Sequence, residues 1–183
     1  MTTQTALKTS LVLVGMMGSG KSAVGKALAA ELDMPFVDAD TEIEIAANMS
    51  IKEIFARDGE AFFRQAEARV INRLLTDGVQ VLATGGGAFM SPVVREALKD
   101  GAITVFLDAT IDTLWERVRY SKTRPLLQTE DPLRTLTALL ANRRPTYLTA
   151  DLIVKTRVEY SIGETMAVVI DALAKADYLK VSV

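Results

Sequence analysis

The sequence predicts an α/β protein of three layers, α/β/α, with a central parallel sheet of about five strands. Three observations predict it. Short runs rich in β-branched residues alternate with longer amphipathic stretches, the pattern of parallel strands joined by helical crossovers. A glycine-rich turn, Gly15 to Gly20, stands directly after the first such run and directly before an amphipathic stretch. The chain has 183 residues, which at roughly 150 residues per domain suits one domain with a full core.

Each element has its own signal. Leu11 to Val14 reads as a buried strand, and from Lys21 to Leu32 the residues Val24, Leu28, Ala29 and Leu32 recur at helical spacing. Pro35-Phe36-Val37 is the second strand, continuing as extended chain into Asp38-Ala39-Asp40. Ser50 and Glu53 form a capping box for a helix that stops at the turn signal Asp58-Gly59. A longer helix covers Glu60 to Leu75. Val79 to Ala83 is the third strand, ended by Gly85-Gly86-Gly87, and Ser91-Pro92 starts a helix to about Lys99. Ile103 to Leu107 is the fourth strand, and Asp112 is expected to cap a helix toward Val118. Arg119 to Asp131 is polar and reads as a loop; Asp131-Pro132 then opens a helix ending near Arg143. Leu152 to Val154 is the last strand, and the final helix spans Ile162 to Ala174. No repeat, low-complexity tract or linker divides the chain, so a single domain is expected over 1–183. Within it, an acceptor-binding region is expected at about 39–67 and a mobile lid at about 119–131.

Composition narrows the chemistry. Hydrophobic residues make up 49% and charged residues 24%, which excludes a disordered, collagen-like or coiled-coil chain. The absence of cysteine removes disulfides, thiolate zinc sites and cysteine nucleophiles. The absence of histidine removes a Ser-His-Asp triad, a His-ligated metal and an imidazole base. Catalysis must therefore use carboxylates, Lys, Arg, hydroxyls, backbone amides and a hard metal ion. With 21 basic and 23 acidic residues and a net charge of −2, the chain lacks the basic excess of a nucleic-acid binder. No apolar run reaches the roughly 18 residues of a membrane span, and Met1 to Ser10 lacks the apolar centre of a signal peptide. A cytoplasmic monomer with no nucleic-acid or membrane partner is the expectation.

Four motifs carry chemistry. Gly15-Met16-Met17-Gly18-Ser19-Gly20-Lys21-Ser22 fits G-x-x-x-x-G-K-[ST] at every fixed position, between a strand and a helix. Its glycines let backbone amides close on phosphates, aided by the helix dipole. Lys21 would reach the β- and γ-phosphates, and Ser22 would ligate Mg²⁺. Asp38-x-Asp40 ends the second strand, where ligands of open α/β sheets bind. Alone, that pair serves equally as a strand-end turn or a helix N-cap; beside a phosphate loop, one carboxylate suits the metal and the other a proton. The run Gly85-Gly86-Gly87 offers amides to a ligand, or simply a permissive turn. Since the strand before it ends in Thr84, no acid stands in the usual metal-binding place there, and Asp38 must supply the metal carboxylate. The arginines are the fourth group. Arg64 has Glu67 one turn on, fitting either a positioned carboxylate fork or a surface ion pair. Arg119, Arg124 and Arg143-Arg144 flank the loop, where a mobile arginine would stabilise a transferring phosphoryl group. Trp115 falls in a helical apolar pattern and reads as core.

From the strand before Gly15 to the final helix, this ordered set resembles the shikimate kinase family, a group of P-loop, nucleoside-monophosphate-kinase-like enzymes with a mobile lid. The motifs that carry the resemblance are Gly15 to Ser22, Asp38-Ala39-Asp40, Phe63-Arg64-Gln65-Ala66-Glu67, Gly85-Gly86-Gly87, Arg124-Pro125-Leu126-Leu127 and Arg143-Arg144-Pro145-Thr146-Tyr147. The resemblance implies phosphorylation of the 3-hydroxyl of shikimate by ATP with Mg²⁺, on the route to chorismate and aromatic amino acids. It further implies that Asp40, Lys21 and Arg124 are catalytic, and that Gly18, Ser19, Gly20, Lys21, Ser22, Ala23, Arg119 and Arg124 bind ATP. Asp40, Arg64, Gly85, Gly86, Gly87, Arg143, Phe55, Phe63 and Glu67 would bind shikimate, with Ser22 and Asp38 at the metal. In this scheme Asp40 is the base and Glu67 orients Arg64, while Arg119 packs on adenine. A kinase for gluconate or a nucleoside monophosphate is the nearest other reading. A GTPase-type switch is disfavoured, because no Asn-Lys-x-Asp motif occurs.

Overall fold

The computed structural model describes residues 7–179; residues 1–6, most of the polar start read above as lacking a signal peptide, and 180–183 lie outside the described residues. Five parallel strands form one sheet in the order β2-β3-β1-β4-β5. They are β1 (Ser10–Val14), β2 (Phe36–Asp38), β3 (Val81–Ala83), β4 (Ala102–Ala109) and β5 (Leu152–Thr156). Every residue of β1 is buried, as the centre of a doubly covered parallel sheet requires. Side chains alternate between faces along a strand, and β1 divides accordingly. Leu11 and Leu13 pack with Val24 and Leu28 of α1 (Lys21–Glu31) and Val169 and Leu173 of α7 (Ile162–Lys175). Val12 and Val14 pack on the other face with residues of α2 (Ala39–Ala47), α3 (Ile51–Thr76), α4 (Pro92–Gly101), α5 (Ile111–Val118) and α6 (Pro132–Tyr147). The three expected layers and five strands are present.

Strand order reverses around β1: the chain runs from it to β2 on one side and later to β4 on the other. The crevice at the carboxyl ends of these strands is where such sheets bind ligands, and Gly15 to Gly20 lies there.

Several boundaries differ from the sequence reading. Asp38-Ala39-Asp40 is not extended throughout. Asp38 is the N-cap of α2, its carboxylate accepting from the amides of Asp40 and Thr41, and Asp40 already lies in the first helical turn. Helix α2 itself carries no strong sequence signal, because Glu42 and Glu44 interrupt its apolar residues. Helix α5 is capped by Thr110, whose hydroxyl oxygen accepts from the Thr113 amide, and Asp112 falls within the first turn, beside the positive dipole end. Helix α6 runs past Arg143 to Tyr147 with Pro145 inside it. A proline lacks the amide proton and normally ends a helix; here complete burial of Tyr147 outweighs that cost. Helix α3 breaks at Gly59, with φ 83° and ψ 172°, as Asp58-Gly59 foretold. That conformation is essentially reserved for glycine. No helix among the described residues is long and apolar enough to cross a membrane.

Candidate active site

One cleft of about 680 Å³ opens at the carboxyl ends of β1, β2 and β3. Its floor is the phosphate loop. Lys21, at the start of α1, is 8% exposed, and its Nζ donates to the carbonyls of Gly15 and Met16 at 2.8 Å each. Burial pulls its pKa down to about 8; Arg124 adds to that fall, while Asp40 opposes it. The ammonium thus sits curled on its own loop, ready to exchange two carbonyls for phosphate oxygens. The loop in turn rests on α5: a Cβ on Gly18 would lie 2.7 Å from Val118.

Two carboxylates stand over this floor with different surroundings. The Ser22 hydroxyl donates to Asp38 Oδ2 at 2.5 Å, while Asp38 Oδ1 takes the capping amides. Asp40 is turned inward. Its Oδ1 is buried without a hydrogen-bond partner, and burial raises its pKa above the ordinary value, with Asp38 pushing the same way and Lys21 opposing. Glu67 is 1% exposed; one oxygen accepts from Arg64 at 2.8 Å and the other has no partner. Burial raises its pKa too, against the pull of Arg64. Both unpartnered oxygens converge on Gly85, where an added Cβ would lie 2.7 Å from each.

The cationic side of the cleft is held by fixed contacts. Arg64 bonds Glu67, reaches Glu60 at 3.3 Å, lies over the Phe63 ring at 5.0 Å, and occupies the space a Cβ on Gly87 would need. Its charge is therefore neither a free surface group nor a simple helix-face pair. Arg143, on α6, is 7% exposed and donates to the Gly86 carbonyl at 3.1 Å. Phe55 and Phe63 meet at 4.9 Å between ring centroids and form an apolar wall. Arg124 precedes a short 3₁₀ turn, Pro125–Leu127, and its buried Nε lacks a partner.

Most of the anticipated residues therefore share one cleft: Gly18, Gly20, Lys21, Ser22, Ala23, Asp38, Asp40, Phe55, Phe63, Arg64, Glu67, Gly85, Gly86, Gly87, Arg124 and Arg143 all line it. Ser19 instead lines an adjoining cavity of about 260 Å³, with Arg117, Tyr160, Ile162 and Thr165. Arg119 lines neither cavity; it pairs with Glu116 at 3.0 Å and covers Tyr120. The arginine that lines both cavities is Arg117, whose Nη1 donates to the Gly18 carbonyl at 3.0 Å. Helical geometry explains the exchange. Residue 117 follows the buried Thr113 and Leu114 by one turn and shares their face, whereas residue 119 follows the partly exposed Trp115 and Glu116. That signal was available, since Leu114 and Val118 already marked the inward face of α5. Tyr147 stands in one of the motifs quoted from the sequence but was given no role there.

A parallel sheet with this loop at its reversal point, a lysine and hydroxyl poised for phosphate, and an inward carboxylate beside it defines a P-loop phosphotransferase for a small acceptor. Residues 17–174 match the family model described as shikimate kinase. The shikimate kinase of Ruegeria pomeroyi is 53% identical over 178 residues, which is 97% of this chain and 91% of that protein. A structure described as shikimate kinase from Acinetobacter baumannii in complex with shikimate superposes with a TM-score of 0.86 at 37% identity, covering 94% of this chain and 96% of that one. A gluconokinase from Sinorhizobium meliloti shares the fold alone, with a TM-score of 0.59 at 20% identity. The chain belongs to the shikimate kinase family. It is an ATP-dependent kinase of the shikimate pathway.

Proposed function

We propose that this cleft binds shikimate between Arg64, Arg143 and the glycine run and transfers the γ-phosphoryl group of ATP to its 3-hydroxyl, giving shikimate 3-phosphate. The acceptor oxygen bonds to the γ-phosphorus, the bond to ADP breaks, and the hydroxyl proton passes to Asp40. The observation that carries this is the lone oxygen of Asp40: buried, without a partner, facing Gly85, and in one cleft with Lys21, Arg64 and Arg124, whose charges act on it. A small acid with several hydroxyls complements such a place. Its carboxylate meets two guanidinium forks, its ring face meets Phe55 and Phe63, and a hydroxyl takes the free oxygen.

The nucleotide's phosphates would lie on Gly18 to Ala23, and Lys21 would leave the Gly15 and Met16 carbonyls for them. Arg124 would neutralise charge as the phosphoryl group moves. The purine is assigned to the adjoining cavity between Arg117 and Tyr160, a role the sequence reading gave to Arg119. The donors available to a cation are the Ser22 hydroxyl and the Asp38 carboxylate, and among the described residues no cluster of three or more His, Cys, Asp or Glu is present. Two hard oxygens fit Mg²⁺, which takes its remaining ligands from phosphate and water. When bound, the ion neutralises the β- and γ-phosphate oxygens. The reading treats 1–183 as one kinase domain working as a cytoplasmic monomer, with the acceptor region at about 39–67 and a lid at about 119–131.

An ADP-release assay with shikimate, gluconate and a nucleoside monophosphate tests the reading. Shikimate is expected to be the preferred acceptor, and Arg64→Ala to raise its KM by about 10² while leaving that of ATP nearly unchanged. Equal turnover of gluconate, or a KM change confined to ATP, would overturn it.

A further inference from the structure

The run Gly85-Gly86-Gly87 has no side chains to hold it, so its peptides keep their directions only through hydrogen bonds. Two of its three carbonyls are satisfied within the turn: Gly85 accepts from the Ala88 amide at 3.2 Å, and Gly87 from the Met90 amide at 3.0 Å. The Gly86 carbonyl accepts nothing from its own segment. It is taken by α6 alone, from Arg143 and from the hydroxyl of Tyr147. Tyr147 is fully buried, stacked on Phe106 at 4.9 Å and parallel to Phe89 at 6.4 Å. That hydroxyl also lies 3.8 Å from the sulfur of Met16 in the phosphate loop. Burial pushes the phenol up to about 12, against the charge of Arg143, so it remains a donor in the working range.

We infer that Tyr147 is a positioning residue for the acceptor: its hydroxyl pins the Gly86 carbonyl and thereby aims the peptide between Gly86 and Gly87 into the shikimate site. Because a peptide is planar and trans, its amide points opposite to its carbonyl. Holding the Gly86 oxygen toward α6 therefore turns the Gly87 amide, which has no partner among the described residues, away from α6 as a donor for the acceptor. Since Arg143 and Tyr147 lie one helical turn apart, the same contact ties that peptide to a residue proposed to hold the acceptor carboxylate. The inference rests on the acceptor reading above.

Tyr147→Phe keeps the ring and removes only the hydroxyl. It is expected to raise the shikimate KM about five- to tenfold, the scale of one buried hydrogen bond, with the ATP KM within twofold and the melting temperature little changed. Phe89→Leu disturbs the ring stack but keeps the hydroxyl; it is expected to lower the melting temperature while leaving the shikimate KM within twofold. An unchanged shikimate KM in Tyr147→Phe, an equal rise for both substrates, or a larger rise in Phe89→Leu overturns the inference. Arg64→Ala run alongside separates the two claims. If that variant binds shikimate normally, the acceptor reading fails; if it does not, a silent Tyr147→Phe removes Tyr147 alone.

Discussion

Substituting Gly85 by alanine tests the centre of the site without touching a charged group. Gly85 lies outside the left-handed region, so its backbone accepts alanine, and only the new methyl's contacts are at issue. That methyl would lie 2.7 Å from Asp40 Oδ1 and 2.7 Å from Glu67 Oε1, against an ordinary contact of 3.4 Å or more. Each carboxylate must therefore retreat by about 0.7 Å, or the glycine run must withdraw by as much. Neither carboxylate has slack on its buried side, because Asp40 stands in the first turn of α2 and Glu67 is clamped by Arg64. A displacement approaching 1 Å between base and acceptor costs on the order of 10²-fold in rate. Gly85→Ala is thus expected to lower kcat by about 10², with a near-normal KM for ATP. Steady-state ADP release at saturating ATP, paired with a thermal melt showing a folded protein, measures it. A kcat within threefold of the parent enzyme would refute the placement of Asp40 at the reacting hydroxyl.

Two further outcomes follow from burial of charge. Lys21, brought down to about 8 in the empty cleft, must be charged to hold phosphate, so ATP binding above pH 8 should take up a proton and weaken with rising pH. Titration calorimetry at pH 8.5 in buffers of different ionisation enthalpy reads that uptake, and identical heats in all buffers would contradict it. Burial also raises the Asp40 carboxyl above its ordinary 3.8, so the folded state binds that proton more tightly than the unfolded chain. The stability this group contributes is present below pH 4 and is lost as pH rises through its folded value. Asp40→Asn is accordingly expected to melt about 2–4 °C higher than the parent at pH 7, with the gap closing toward pH 4. An equal or lower melting temperature at pH 7 would show that Asp40 is not held at a cost.

What was legible in the sequence follows physical rules of short range. The phosphate loop, the capping box at Ser50, and the alternation of buried strands with amphipathic helices are local patterns, and that alternation placed all five strands. The errors arise where a distant contact decides. Helix α6 passes Pro145 because Tyr147 stacks on Phe106 and lies parallel to Phe89, far off in the chain. Arg117, which lines both cavities where Arg119 lines neither, went unnamed in the sequence because the facing of α5 was not used, although the pattern of that helix contained it. The reach of Tyr147 to Gly86, 61 residues away, left no trace in local sequence.

The break at Gly59 separates the part of α3 that bears Phe55 from the part that bears Phe63, Arg64 and Glu67. Nothing lies within 4 Å of where a side chain would stand, so it is the torsion itself, not crowding, that excludes other residues there. The two stretches of α3 that line the cleft thus meet at an elbow with open space where a side chain would stand. The angle of that single joint fixes how far Phe55 stands from Phe63, and so the width of the apolar side of the mouth.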